Sequence, residues 1–252
     1  MTPEKVCEAI DRLAVADYAS FGGRLVTLQD PRPGVPSDRL LDVAMREAIE
    51  HRFARRFATE FDVRSVQSIW MKWYLNAFIP PVLMADILLG QSISVDLPDL
   101  SFIMADDGRV AAVKIASTRD STGEEPFHRL RPLIFDHFAP LIEMWCDRTD
   151  VTARVFWSNV GNTFEAMLRR IEAVSGASER LSEAQRLLSV VVTPWGVANP
   201  LFDAVYYALE EGALERRRRV CCLQYLLPDR RFCKACPIEE ARTVHRQEGT
   251  RS

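Results

Sequence analysis

"LSFIMADDGRVAAVKIA", residues 100–116, is the clearest strand signal in the chain. Asp107-Gly108 supplies a tight turn, because glycine accepts the positive φ that a short hairpin connection demands. Aliphatic, β-prone residues flank that turn on both sides. "SISVDLP", just upstream, offers a third strand. On either side of this region the apolar residues recur with helical spacing.

Upstream, Thr2-Pro3-Glu4 reads as the cap and first turn of a helix running to about Tyr18. Residues 21–36, "FGGRLVTLQDPRPGVP", form a connection punctuated by Gly and Pro, with a short strand at Leu25 to Leu28. Ser37-Asp38 then caps a long helix to about Phe61, whose stripe is Leu41, Met45, Ile49, Phe53 and Phe57. Residues 64–79 are helical, Pro80-Pro81 break the pattern, and 82–89 make a second short helix. Downstream, "PFHRLRPLIFDHFAPLIEMWCD" is apolar and interrupted by prolines. "RVFWSNVGNTFEAMLRRIEAVSG" is a helix closed by Gly176, and Ser178 caps the next one. The expected fold class is α+β: mainly helical, with a small central antiparallel sheet, in one domain over residues 1–252.

Composition bounds the function. With 252 residues, 48% hydrophobic, 27% charged and a net charge of −3, the chain is an ordinary globular one, with no general attraction to nucleic acid or anionic lipid. The N-terminus has no basic stretch followed by an apolar run, so no secretory signal is read. The most apolar window, residues 73–90, contains Asn76, Pro80, Pro81 and Asp86 and falls short of the roughly 20 apolar residues that a span needs. A cytoplasmic setting is expected, where clustered thiols bind metal or do chemistry rather than form disulfides.

Such a cluster exists. "CCLQYLLPDRRFCKACP", residues 221–237, holds four of the six cysteines, while Cys7 and Cys146 stand alone and read as core. Thiolates are soft ligands, and four suit zinc or an iron–sulfur cluster. Cys233-x-x-Cys236 fits a zinc knuckle; the adjacent Cys221-Cys222 fits one poorly, because neighbouring side chains diverge. Two metal centres accommodate adjacent thiols more easily. A dithiol oxidoreductase is the third possibility, but no βαβ context precedes Cys233.

The pattern Cys-Cys, ten residues, Cys-x-x-Cys resembles the signature of FhuF-type siderophore ferric reductases. "FWSNVGNTFEAML", residues 156–168, is similar to that family's Trp-Ser-Asn segment. The resemblance implies a cytoplasmic oxidoreductase in which Cys221, Cys222, Cys233 and Cys236 hold a [2Fe-2S] cluster within a binding segment at 216–237, with no catalytic residue beyond the cluster. It implies a ferric siderophore substrate of the hydroxamate type, and iron delivered for assimilation. Hard oxygen donors hold Fe(III) far better than Fe(II), so one electron releases the metal. No Gly-rich phosphate loop is present to bind NAD(P)H, so electrons are expected from a ferredoxin or flavodoxin partner.

Charge concentrates near the cysteines. Arg216, Arg217, Arg218, Arg219, Arg230, Arg231 and Lys234 face only Asp229 in that stretch. They offer a docking patch for an acidic donor or an anionic chelate; the plainer alternative is that Arg216 to Arg219 complement a helix C-terminus. Trp157 and Asn159 either line the approach to the chelate or, with Ser158, cap and pack the following helix. His51, His128, His137 and His245 do not cluster. The competing function is a zinc-stabilised binding protein whose basic patch meets nucleic acid or an acidic partner; the reductase reading excludes nucleic acid. The sequence leaves open which siderophore is used, and whether the protein sits peripherally at the inner membrane.

Overall fold

The structure, a computed structural model, describes residues 1–14, 16–57, 60–147, 149–210, 212–228 and 232–238. α1 (Pro3–Leu13) starts as its residues dictate: the Thr2 hydroxyl accepts from the Lys5 N–H, and Pro3 occupies a position that needs no donor. It ends before Tyr18, and a 3₁₀ stretch, Ala16–Phe21, leads to β1 (Leu25–Thr27) and β2 (Val35–Pro36). The long helix expected from Ser37 is divided. A 3₁₀ turn, Ser37–Leu41, gives way at the extended Asp42 to α2 (Val43–Ala54). Asp42 pairs with Arg39 across that break, the local competition that makes Asp a poor helix-interior residue.

α3 (Val63–Leu89) is the spine, capped by Asp62 and closed by Gly90 in the left-handed conformation. It runs straight through Pro80 and Pro81, which were expected to break it. Proline removes a backbone donor at a cost of about 3 kcal/mol, but burial of this helix on nearly every side outweighs the loss. Asn76, whose carbonyl would have accepted from residue 80, lies on the exposed part of the helix, where water can serve instead.

The hairpin expected at 100–116 is present as β4 (Leu100–Met104) and β5 (Val110–Ile115), following β3 (Gln91–Ile93) and preceding β6 (Thr118–Asp120). Gly108 turns it with φ near 79°. The sheet order is β1-β5-β4-β2, with β1 parallel to β5, so this sheet is mixed rather than purely antiparallel. β3 pairs with β6 in a separate ribbon instead of joining it.

α4 (Pro126–Arg131), a π-helical segment (Pro132–Phe138) and α5 (Ala139–Asp147) follow one another directly, so the prolines do not interrupt them. α6 (Ala153–Ser175) ends at Gly176 and α7 (Glu179–Arg186) is capped by Ser178, both as expected. β7 (Val205–Glu210) and β8 (Ala213–Arg218) form the hairpin that leads into the cysteines. Trp70 is fully buried at the centre, stacked 4.9 Å from Trp145 and 5.7 Å from Tyr74. The α+β class therefore stands, with α3 packed between α6 and the sheet. Among the described residues no helix is long and apolar enough to cross a membrane.

Candidate metal centre

The cysteine segment is tied down at both ends by its backbone. The Arg218 N–H donates to the Ala235 carbonyl at 2.9 Å, bringing the end of β8 beside Cys236. Ser68 on α3 donates to the Cys222 carbonyl at 2.9 Å, and Ser158 on α6 to the Val220 carbonyl at 3.2 Å. The Cys236 N–H reaches the Cys233 carbonyl at 2.9 Å, closing the tight turn expected of Cys-x-x-Cys. Leu223 takes a left-handed backbone, φ 60°, immediately after the adjacent pair. That unusual residue lets both neighbouring thiols turn toward the second pair.

Each of the adjacent thiols meets a different partner. Cys222 Sγ lies 3.9 Å from Cys233 Sγ, while the Cys221 thiol interacts with Cys236. All four are free cysteines, with Cys222 and Cys236 buried and Cys221 and Cys233 half-buried. Hydrogen bonding from Cys236 brings the Cys221 thiol down to about 7, helped by the Leu223 N–H and the charge of Arg218. Hydrogen bonds from Cys222 and Cys236 lower Cys233 to about 2, with Lys72 and Arg218 adding to the effect. The donors Cys222 and Cys236 are pushed up by the same bonds. Two of the four, Cys221 and Cys233, thus favour the thiolate, the form that binds metal, and Cys222 and Cys236 hold their protons in its absence.

Of the residues expected to make a docking patch, Arg216 to Arg219 sit on or just after β8, not at a helix C-terminus. Arg216 pairs with Glu165 and bonds Asn162 Oδ1 at 3.0 Å; Arg217 is buried and pairs with Glu210 at 2.9 Å. Arg219 is exposed, pairs with Asp203 at 2.8 Å and covers the Tyr206 ring. These arginines are occupied internally, so the expectation of a broad free cationic face does not hold for them. Lys234 is exposed, and Arg230 and Arg231 lie outside the described residues.

Arg218 is different. It is 1% exposed, yet its described partners are neutral: Asn159 Oδ1 at 2.5 Å and Ser158 Oγ at 3.2 Å, with Nε left without a partner. A buried guanidinium without an anion is costly. Its field falls on Cys222, Cys233 and Cys221. Asn159 is itself fully buried and bridges Arg218 to Ser68, so it does not line an approach, and it lies inside α6 rather than at its cap. Trp157 is half-buried against the core.

Lys72 was not anticipated. Its ammonium lies 3.7 Å from Cys222 Sγ and 3.1 Å from Gln224 Oε1. The available signal was a lone cation inside "IWMKWYL", which otherwise reads as core.

Among the described residues, no group of three or more His, Cys, Asp or Glu side chains is arranged around a single ion position. Two thiolates on one tetrahedral centre stand ~3.8 Å apart, given metal–sulfur bonds of about 2.3 Å. Cys222 and Cys233 match that spacing. The four thiols form one connected set, Cys221 to Cys236, Cys236 to Cys233 and Cys233 to Cys222, with the positive charge of Arg218 beside it. A set of four soft sulfur donors beside a buried cation suits a thiolate-bound metal centre, zinc or iron–sulfur.

With this geometry in hand, comparison with known proteins is informative. A family profile described as "Ferric iron reductase FhuF-like transporter" matches residues 68–215, from α3 into β8, and stops short of the cysteines. Over 174 residues the chain is 26% identical to the Ferric siderophore reductase of Escherichia coli (strain K12), covering 68% of this chain. The match spans 65% of that relative's length, just under two thirds. Among solved structures, ATP-bound aerobactin synthetase IucA from a hypervirulent pathotype of Klebsiella pneumoniae is similar, with a TM-score of 0.57 and 10% identity. That likeness covers 80% of this chain and 49% of the synthetase. A second structure of the same synthetase aligns with a TM-score of 0.57, 11% identity and coverage of 79% and 49%. At such identities the resemblance is one of fold.

Proposed function

The chain belongs to the FhuF-like ferric iron reductase family, and from that membership we propose that it is a cytoplasmic ferric-siderophore reductase whose Cys221, Cys222, Cys233 and Cys236 hold one [2Fe-2S] cluster. The contacts that join Cys221 to Cys236, Cys236 to Cys233 and Cys233 to Cys222, beside a buried arginine with no carboxylate partner among the described residues, carry the cofactor assignment. Such a cluster supplies one electron at a time, which matches the single electron that separates Fe(III) from Fe(II).

The protein's own residues do the rest. Ser68, Ser158 and the Ala235 carbonyl fix the backbone of the ligand loop against α3, α6 and β8. Arg218 and Lys72 offset negative charge at the sulfurs and so favour a reduced state. The electron enters from an external one-electron donor of ferredoxin or flavodoxin type, with exposed Lys234 available to meet an acidic surface. The ferric chelate would accept that electron, and its hard oxygen donors would hold the resulting Fe(II) only weakly. We read residues 1–252 as one domain of which 216–237 is the cluster-binding segment.

The zinc-protein alternative is not favoured, because the family match points to ferric iron reduction and Arg216, Arg217 and Arg219 are engaged by Glu165, Glu210 and Asp203. The test is anaerobic: protein reduced with dithionite and freed of excess reductant is mixed with ferric tris-acetohydroxamate and a ferrous trap. Fe(II) should appear in proportion to reduced protein; no Fe(II) above the protein-free control counts against the activity.

A further inference from the structure

Between Ser65 and Ile87, α3 is buried at every position except Lys72, Trp73 and Asn76. Those three recur at helical spacing on a single face. A helix apolar nearly all round belongs in the core, so a single opening of this kind is a constructed feature. It lies beside the thiols, because Lys72 is the residue in contact with Cys222.

Two cavities share this face. One of about 110 Å³ is lined by Lys72, Trp73, Asn76 and Gln224, and so abuts the cysteine loop. The second, about 290 Å³, shares Trp73 and Asn76 and continues between α3 and α6 past Asn162 and Arg170 to Arg24. Together they make a groove that begins at Lys72 and Gln224, beside the cysteine loop, and runs outward.

Its chemistry is one-sided. Lys72, Arg24 and Arg170 line it, and among the described residues no Asp or Glu does. Among the described residues, none of these three cations has a carboxylate within ion-pair distance. Arg24 donates to the Ser20 carbonyl at 2.5 Å, Arg170 rests 5.3 Å from the Phe21 ring centroid, and Lys72 is engaged by Gln224 and Cys222. The side-chain amides of Asn76 and Asn162 add hydrogen-bonding capacity. Trp73 offers an aromatic wall, held by the Arg109 guanidinium stacked 4.5 Å from its ring centroid. A cavity of similar size, about 270 Å³, is lined by Asp86 and Asp96 along with Arg119 and Arg129, and shares no lining residue with this groove.

We propose that the groove between α3 and α6 is the binding site for the ferric chelate, and that it selects chelates of net negative charge. This rests on the reductase reading above. The chelate sits with one face against Trp73 and Asn76, its anionic oxygens toward Arg24 and Arg170, and its edge next to Lys72. One side chain then separates it from Cys222, a contact short enough for direct electron transfer. The groove is at the small end of ligand sites, which suits partial enclosure of a bulky chelate and easy release of the emptied ligand.

The test uses gallium(III), which matches ferric iron in charge and size but does not accept the electron, so binding is read apart from turnover. Calorimetry on the full chain as isolated compares anionic gallium(III) tris-catecholate with neutral gallium(III) tris-acetohydroxamate at pH 8. The anionic complex should bind more tightly, and its affinity should fall as salt rises. Arg24→Gln and Arg170→Gln should each weaken it about tenfold, whereas Arg186→Gln, a charge removal on exposed α7, should not. Circular dichroism on each variant checks that the fold is kept. If the wild type binds and releases Fe(II) while both groove variants bind gallium complexes as it does, the groove is overturned and the activity stands. If the wild type binds neither complex and releases no Fe(II), both fall together.

Discussion

The Arg218 guanidinium donates to Asn159 Oδ1 at 2.5 Å inside a pocket sealed from solvent, and among the described residues no carboxylate shares that pocket with it. Asn159 in turn donates to Ser68 Oγ at 3.0 Å, so α6, α3 and β8 meet at this one point behind the cysteines. The arrangement holds a positive charge against the sulfurs rather than against an acid.

Arg218→Gln keeps a hydrogen-bonding side chain and removes the charge. In cluster-loaded protein the midpoint potential should drop by on the order of 50 mV or more, since a unit charge several ångströms away is worth one to a few kcal/mol at protein dielectric. Metal-free protein should lose no stability, because the variant relieves an unbalanced buried charge. Redox titration and paired melts of both forms check this; an unchanged potential would separate Arg218 from the centre.

Gly161 lets α6 approach the chain ahead of β7. A Cβ there would fall 2.3 Å from the Ala204 Cβ. The Ala204 carbonyl also accepts the Arg219 N–H at 3.1 Å, so a shift would travel to the cysteine loop. Gly161→Ala should cost about 1–3 kcal/mol in urea unfolding and lower iron content. Ala204→Gly in the same chain should restore both.

Asp86 is 2% exposed and joins α3 to two later helices, accepting from Arg129 Nε at 2.9 Å and from Arg180 Nη2 at 2.8 Å. Asp86→Asn preserves shape but leaves Arg129 buried without its counter-ion, which should cost about 3–5 kcal/mol. Adding Arg129→Met should recover part of that loss. A single-variant effect under ~1 kcal/mol would mean that Glu183, which also pairs with Arg129, suffices alone.

His137 lies in the π-helical segment, fully buried, with Nδ1 2.7 Å from the Val95 carbonyl and Nε2 hydrogen-bonded to the Tyr74 hydroxyl. The contacts fit a neutral ring whose Nδ1–H donates to Val95 and whose Nε2 accepts from Tyr74, and full burial favours that form. Burial lowers it from 6.5 to about 4, with the Val95 bond pulling weakly the other way. The unfolded chain therefore takes up the proton first. This contribution is whole above about pH 6.5 and is lost as pH falls toward 4, amounting to about 2 kcal/mol by pH 5. Urea unfolding at pH 7 and pH 5 should show the loss in the wild type and a smaller one in His137→Gln; equal losses would assign it to other groups.

The hairpin around Asp107-Gly108, the caps at Thr2 and Ser178, and the Gly176 stop were legible because each depends on local backbone chemistry. The continuous α3 was not: Pro80 and Pro81 carry a local penalty that only surrounding packing offsets, and packing is not a local property. The cysteines announced themselves by spacing. Their pairing did not, because it turns on the left-handed Leu223. The arginine run misled for a similar reason. Partners such as Glu165 and Asp203 lie elsewhere in the chain, so Arg216, Arg217 and Arg219, which read as a free patch, are held in ion pairs, while Arg218 has no carboxylate partner among the described residues. Lys72 was concealed by the apolar residues around it.

Iron, labile-sulfide and EPR analysis of protein isolated without air decides whether the four cysteines hold a [2Fe-2S] cluster. The expected result is two irons and two sulfides per chain, a signal that appears on one-electron reduction, and loss of all three in Cys233→Ser but not in Cys146→Ser. Colourless protein that carries one zinc, holds no sulfide and resists reconstitution with iron would contradict it.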